Sequence, residues 1–166
     1  EFVHLEEIPQ AAFRMVVKVE DYRFYEHHGV DLEALRRAYQ VNRKFGYARQ
    51  GGSTITMQLA RTLFLVPAKT YVRKYVEVLI ALGLEAAIDK QRILELYLNY
   101  AEWGRGIFGI QAAARHYYGA GVQSLGTDRI RRLVTILANP LDYGVNDFWN
   151  NQHLAGRYRF LVRMAR

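Results

Sequence analysis

The chain has 166 residues, 51% hydrophobic and 23% charged, an ordinary balance for one globular domain. Its formal net charge of +7 calls for an anionic partner, whether nucleic acid, anionic lipid or a phosphorylated substrate. It contains no cysteine, which excludes disulfides and cysteine-ligated zinc, and no run of about eighteen apolar residues that would span a bilayer.

In chain order, residues 7–20 read as a helix. Ile8, Ala11, Ala12, Met15, Val16 and Val19 recur at helical spacing, and Pro9 suits a first turn. Asp31 caps a second helix running from Leu32 to about Phe45. The stretch KFGYARQGGST is the most loop-like, and Ser53 or Thr54 then caps a helix from Ile55 to about Leu65. Pro67 marks a break, and Thr70 is placed to cap a helix reaching about Ile88. Asp89 caps KQRILELYLNYA, WGRGIFG reads as a glycine-punctuated loop, and IQAAARHYY as the helix after it. Two further helical patterns, 128–138 and 152–164, close the chain. No segment shows the period-two alternation of a strand, so the expected fold is all-α with about eight helices in one domain spanning 1–166. The chain opens on Glu1 and enters a helical pattern almost at once, which reads as a domain with a membrane anchor removed from its N-terminal side.

Three constellations carry chemistry. Glu20 and Asp21 leave an apolar helix among aromatic residues, at a helix C-terminus where acids oppose the dipole. In GGSTITMQLAR, two glycines precede a capped helix whose N–H groups favour an anion, and Thr54, Gln58 and Arg61 share one face. The same stretch also fits a plain surface helix with a solvated arginine. In RKYVEVLIALGLE, Arg73 and Lys74 stand one turn from Glu77, which borders an apolar face and faces a desolvation cost; an ordinary helical ion pair fits as well. The adjacent His27 and His28 point differently and make a poor metal pair. Ile93, Leu94, Tyr97, Leu98 and Ala101 read as a core stripe, with Asn99 and Glu102 tying down the turn that follows.

Taken together, these segments strongly resemble the peptidoglycan glycosyltransferase domain of class A penicillin-binding proteins and of monofunctional transglycosylases. The resemblance rests on Glu20, Asp21, Phe24, His27 and Gly29; on GGSTITMQLAR; on Arg73, Lys74, Glu77, Leu84 and Glu85; and on Lys90, Ile93, Leu94, Glu95, Tyr97, Leu98 and Asn99. It covers nearly the whole chain, and YLNYAEWGRGIFGIQAAARHYYG is closest to the monofunctional members. Met57 stands where the family usually has Gln, Arg61 where it has Lys, and TDRIRRLV is more basic than the usual late helix.

The resemblance implies a lysozyme-like fold with a large helical lobe and a small mobile jaw, the jaw including LFLVPAKTYV. It implies polymerisation of lipid II into β-1,4-linked glycan with inversion and release of undecaprenyl pyrophosphate. Glu20 would be the general base, with Glu77 assisting at the pyrophosphate. Asp21, Ser53, Thr54, Gln58, Arg61, Arg73, Lys74, Asn139 and Arg157 would contact substrate. A divalent metal, Mg or Mn, comes with the family, Glu77 being its candidate ligand; no organic cofactor does. The partners implied are lipid II, the growing glycan strand, an anionic membrane surface and cell wall synthesis proteins, at the outer face of the bacterial cytoplasmic membrane. The rivals are a lysozyme-like glycan hydrolase and a non-catalytic lipid II-binding module. The scattered basic residues, with no stacking-aromatic module, argue against nucleic acid.

Overall fold

The computed structural model describes residues 1–45, 51–65 and 71–164. Gly46, Pro67 and Thr70, and with them the proposed cap of the fourth helix and half of the jaw segment, lie outside the described residues. Among those described there are eight α-helices: α1 (Gln10–Glu20), α2 (Leu32–Phe45), α3 (Ile55–Phe64), α4 (Tyr71–Ala87), α5 (Lys90–Tyr100), α6 (Ile110–Tyr118), α7 (Thr127–Ile136) and α8 (Gln152–Met164). None is long and apolar enough to cross a membrane.

The helix starts follow local capping chemistry. Asp31 Oδ1 accepts the Ala34 amide at 2.9 Å, Thr54 Oγ1 that of Met57 at 3.1 Å, and Asp89 Oδ1 that of Arg92 at 2.8 Å. The first helix begins later than its periodicity suggests. Residues Leu5–Glu7 form a single 3-10 turn, and α1 starts only after Pro9. Ile8, preceding a proline, is held extended at φ −85°, ψ 127°, because the proline ring disfavours a helical residue before it.

The WGRGIFG segment is a correction. Glu102–Gly104 (β1) pairs antiparallel with Ile107–Phe108 (β2), Glu102 opposite Phe108 and Gly104 opposite Ile107. Strands of three and two residues are too short to show alternation. Gly106 takes φ +73° in the turn, and its amide donates to Glu102 Oε1 at 2.9 Å. Glu102 therefore ties down this turn as expected, but Asn99 does not. Its side chain accepts from the Val3 amide and donates to the Val3 carbonyl, both at 2.8 Å, and so pins the N-terminal segment instead.

α3 packs against both α4 and α5, α1 lies on α7, and α7 on α8. Trp103, Tyr97, Phe24, Phe148, Ile55 and Leu59 are the largest members of the main core. A second, smaller cluster lies between α3 and α4, where Met57, Ala60 and Ala81 are buried together. Met57 thus serves packing, and its departure from the family pattern removes no polar group from an open surface. The basic residues of α7 are also structural. Arg131 and Arg132 both stack over Tyr158, and Arg132 over Trp149, while Asp128 binds Arg132 at 2.8 Å and accepts the Tyr158 hydroxyl.

Candidate active site

Asp21 follows the last residue of α1 as its C-terminal cap and would be unwelcome there were it not turned toward α3. Its Oδ2 accepts the Ile55 amide at 3.0 Å, and both oxygens lie 2.9 Å from His27 Nε2. A carboxylate opposed by one helix dipole is thereby stabilised by the start of another. His27 is buried in this contact and His28 is exposed. The expectation that the α3 N-terminus offers free amides to an anion is narrowed by the same geometry to the amide of Thr56. Ile55 N–H is taken by Asp21, Met57 N–H by the Thr54 side chain and Gln58 N–H by the Thr54 carbonyl. The Thr54 hydroxyl also donates to Gly29 O at 2.6 Å. Asp21 and Thr54 therefore build the wall of the site, and their polar atoms are engaged within the fold.

That wall needs glycine twice. Gly29 has φ +86°, and a Cβ there would stand 3.0 Å from the Ala81 carbonyl oxygen. A Cβ on Gly52 would stand 3.0 Å from the Leu35 Cα.

Glu20, the last residue of α1, is held from two sides. Arg157 of α8 binds its Oε1 and also donates to the backbone carbonyls of Val19 and Val134. Gln58 Nε2 donates to its Oε2 at 3.0 Å. Behind Gln58 stands Tyr97 of α5, whose hydroxyl donates to Gln58 Oε1 at 3.0 Å. Tyr97 looked like a plain member of an apolar stripe. Its spacing gave no sign that the hydroxyl meets a polar chain, because Gln58 lies 39 positions away.

Glu20, Ser53, Gln58, Arg61 and Arg157 all line one groove of about 470 Å³. Among the described residues the Arg61 guanidinium has no hydrogen-bond or ion-pair partner. A larger groove of about 790 Å³ lies elsewhere, beside the Leu5–Glu7 turn and the start of α5. Three of its four acids are occupied with structure, Glu7 by the His4 amide, Asp89 by that of Arg92 and Glu95 by that of Leu5, and the fourth, Glu6, is exposed.

The third constellation joins this groove through Ser53. Lys74 Nζ donates to Ser53 Oγ at 2.8 Å and to Glu77 Oε1 at 2.7 Å. Glu77 is fully buried, and its Oε2 is buried without a hydrogen-bond donor. Arg73 precedes Lys74 on α4 and is half-buried. Arg73, Lys74, Glu77 and Asn139 do not themselves line the groove; Asn139 follows Ala138, which does. Glu85, part of the same motif, instead joins Thr56 at 2.6 Å and Lys90 at 2.7 Å, a structural clasp between α3, α4 and α5.

The site thus offers a carboxylate with fixed orientation and an unpaired guanidinium on one groove, with an ammonium reached through a serine. Such a set accepts a proton at one end and stabilises developing anionic charge at the other. Among the described residues no group of three or more acidic or histidine side chains is arranged to hold a metal. The buried Glu77 Oε2, met by no hydrogen-bond donor among the described residues, is the acceptor that would suit a Mg or Mn ion.

Comparison with known proteins gives the family of the chain. The profile of the family described as Transglycosylase matches residues 1–165. A biosynthetic peptidoglycan transglycosylase of Janthinobacterium sp. (strain Marseille) is 51% identical over 130 residues, which are 78% of this chain and 56% of that protein. One of Dechloromonas aromatica (strain RCB) is 46% identical over 133 residues, 80% of this chain and 58% of that protein. One of Nitrosospira multiformis is 42% identical over 165 residues, 99% of this chain and 71% of that protein. The chain thus spans little more than half the length of the first two.

Proposed function

The chain belongs to the transglycosylase family, and from that premise we propose that this domain polymerises lipid II into β-1,4-linked glycan in bacterial cell wall synthesis. The observation that carries the reading is the placement of Glu20 and the unpaired Arg61 on one groove.

In this mechanism Glu20 takes the proton from the 4-hydroxyl of the acceptor's glucosamine. The oxygen attacks C1 of the donor's muramic acid from the face opposite the pyrophosphate. The C1–O bond breaks, its electron pair leaves with undecaprenyl pyrophosphate, and the α linkage becomes β. Arg157 and Gln58 keep the carboxylate turned toward the groove. Arg61 and Lys74, the latter presented beside Ser53, meet the charge gathering on the leaving group. A divalent ion at Glu77 would supply further neutralisation of the pyrophosphate when bound. Hydrolysis of a neutral glycan has no use for cations at this end of the groove.

The outer face of α4 supports a site at a membrane. Val72, Tyr75, Leu79 and Leu82 are exposed at 73%, 66%, 49% and 45%, and their spacing aligns them in one stripe. Arg73, Lys74 and Glu77 lie on the other side of the same helix, so the exposed stripe carries no charge. The domain is accordingly read as working at the outer face of the cytoplasmic membrane, with this stripe toward lipid and lipid II and the growing strand as its partners.

Incubation with lipid II and, separately, with finished glycan tests the function. The proposal expects polymer and released undecaprenyl pyrophosphate from the first and no cleavage of the second. Cleavage of glycan without polymerisation would make the domain a hydrolase, and binding without turnover would make it a lipid II-binding module.

A further inference from the structure

The polar chain behind the groove has a direction. An ionised Glu20 accepts hydrogen bonds and cannot donate one, so only the amino end of the Gln58 amide can face it. The Gln58 carbonyl oxygen then points away and requires a donor, which the Tyr97 hydroxyl supplies at 3.0 Å. Arg157 holds Glu20 Oε1, so Oε2 is the oxygen whose placement depends on Gln58.

We infer that Tyr97 is a positioning residue for the catalytic base, fixing the orientation of the Gln58 amide and through it the Glu20 carboxylate. This inference rests on the reading of Glu20 as proton acceptor. Burial, and then the nearby charge of Glu20, hold the Tyr97 phenol well above its ordinary pKa, so the hydroxyl keeps its proton and remains a donor. The ring is buried in the main core, which leaves the hydroxyl as its only polar function. Without that hydroxyl the Gln58 carbonyl oxygen loses its donor, and among the described residues the amide is held by its contact with Glu20 alone. Gln58 accordingly acts on the base from its place in the groove wall.

The test is a double-mutant cycle on lipid II polymerisation with Tyr97→Phe and Gln58→Met. Tyr97→Phe is expected to lower kcat about tenfold, the rate equivalent of one such hydrogen bond, with KM unchanged. In the Gln58→Met background the same substitution is expected to change kcat little, because no amide remains to orient. An unchanged kcat in Tyr97→Phe, or an equal loss in both backgrounds, overturns the inference and leaves Tyr97 a packing residue. If Tyr97→Phe does not fold, 3-fluorotyrosine at position 97 retains the ring and strengthens the donor: a changed kcat supports the relay, and an unchanged one overturns it. Glu20→Gln is assayed alongside. Wild-type polymerisation by that variant overturns both readings, whereas its inactivity beside a fully active Tyr97→Phe overturns this inference alone.

Discussion

Two clusters in this molecule are built from the same parts and serve different ends. At Asp128 a carboxylate meets Arg132 and the Tyr158 hydroxyl; at Glu20 a carboxylate meets Arg157, and a tyrosine hydroxyl reaches it through Gln58. Around Asp128 the arginines lie on aromatic faces, Arg132 at 5.8 Å from both the Trp149 and the Tyr158 ring centres, and their charge is used in joining α7 to α8. Around Glu20 one arginine is tied to backbone carbonyls, while a second, Arg61, stands on the same groove without a partner among the described residues. An acid, an arginine and a tyrosine therefore do not define an active site. A groove that keeps cations available, as Arg61 and Lys18 are among the described residues, does.

The contrast predicts different consequences for equally mild substitutions. The largest effect is expected at Arg61. Arg61→Ala should lower polymerisation by about 100-fold, the scale of losing one donor to developing charge, with the melting temperature little changed. Arg61→Lys should fall between, because it keeps the charge and loses the planar fork. Equal activity of Arg61→Ala and wild type would remove the distinction between the two clusters. A smaller effect is expected on the α4 stripe. Leu79→Lys combined with Leu82→Lys should weaken binding to vesicles of anionic phospholipid by roughly tenfold, because apolar area is withdrawn from the lipid, and co-sedimentation measures it.

At the other cluster the rate should stand still while stability moves. Arg132→Ala is expected to lower the melting temperature by about 2–4 °C, the equivalent of roughly 1 kcal/mol in a domain of this size, and to leave kcat unchanged. The smallest effect is the pH dependence of the same contact. Burial alone would raise the Asp128 pKa, but hydrogen bonds from Tyr158 and Arg132 and the nearby arginine charges outweigh it and hold the carboxyl below its ordinary value. A carboxyl lowered in the folded state stabilises fully above its unfolded pKa of about 3.9, and the contribution is lost as the pH falls through the folded value. The difference in melting temperature between wild type and Asp128→Asn should therefore be present at pH 6 and close toward pH 3.

What was legible in the chain was what local chemistry decides. Asp31, Thr54 and Asp89 cap the helices they precede because each needs only an amide three residues on. Glu20 and Arg61 were reached through the motif pattern, and the groove brings them together. Contacts between distant residues were not legible. Asp21 reaches the start of α3 across 34 positions, and Asn99 reaches Val3 across 96. Nothing in the spacing of YLN reveals that its asparagine holds the N-terminal segment or that its tyrosine joins the site. The hairpin at 102–108 was hidden for another reason, since two strands this short leave no periodic trace.

The most direct test of the account is the rate of lipid II polymerisation by Glu20→Gln, read beside its melting curve and beside Asp128→Asn. The account predicts that Glu20→Gln folds and loses polymerisation by about 10²–10⁴-fold, the usual share of a general base, while Asp128→Asn melts lower and polymerises at the wild-type rate. A folded Glu20→Gln protein that polymerises as fast as wild type would contradict it.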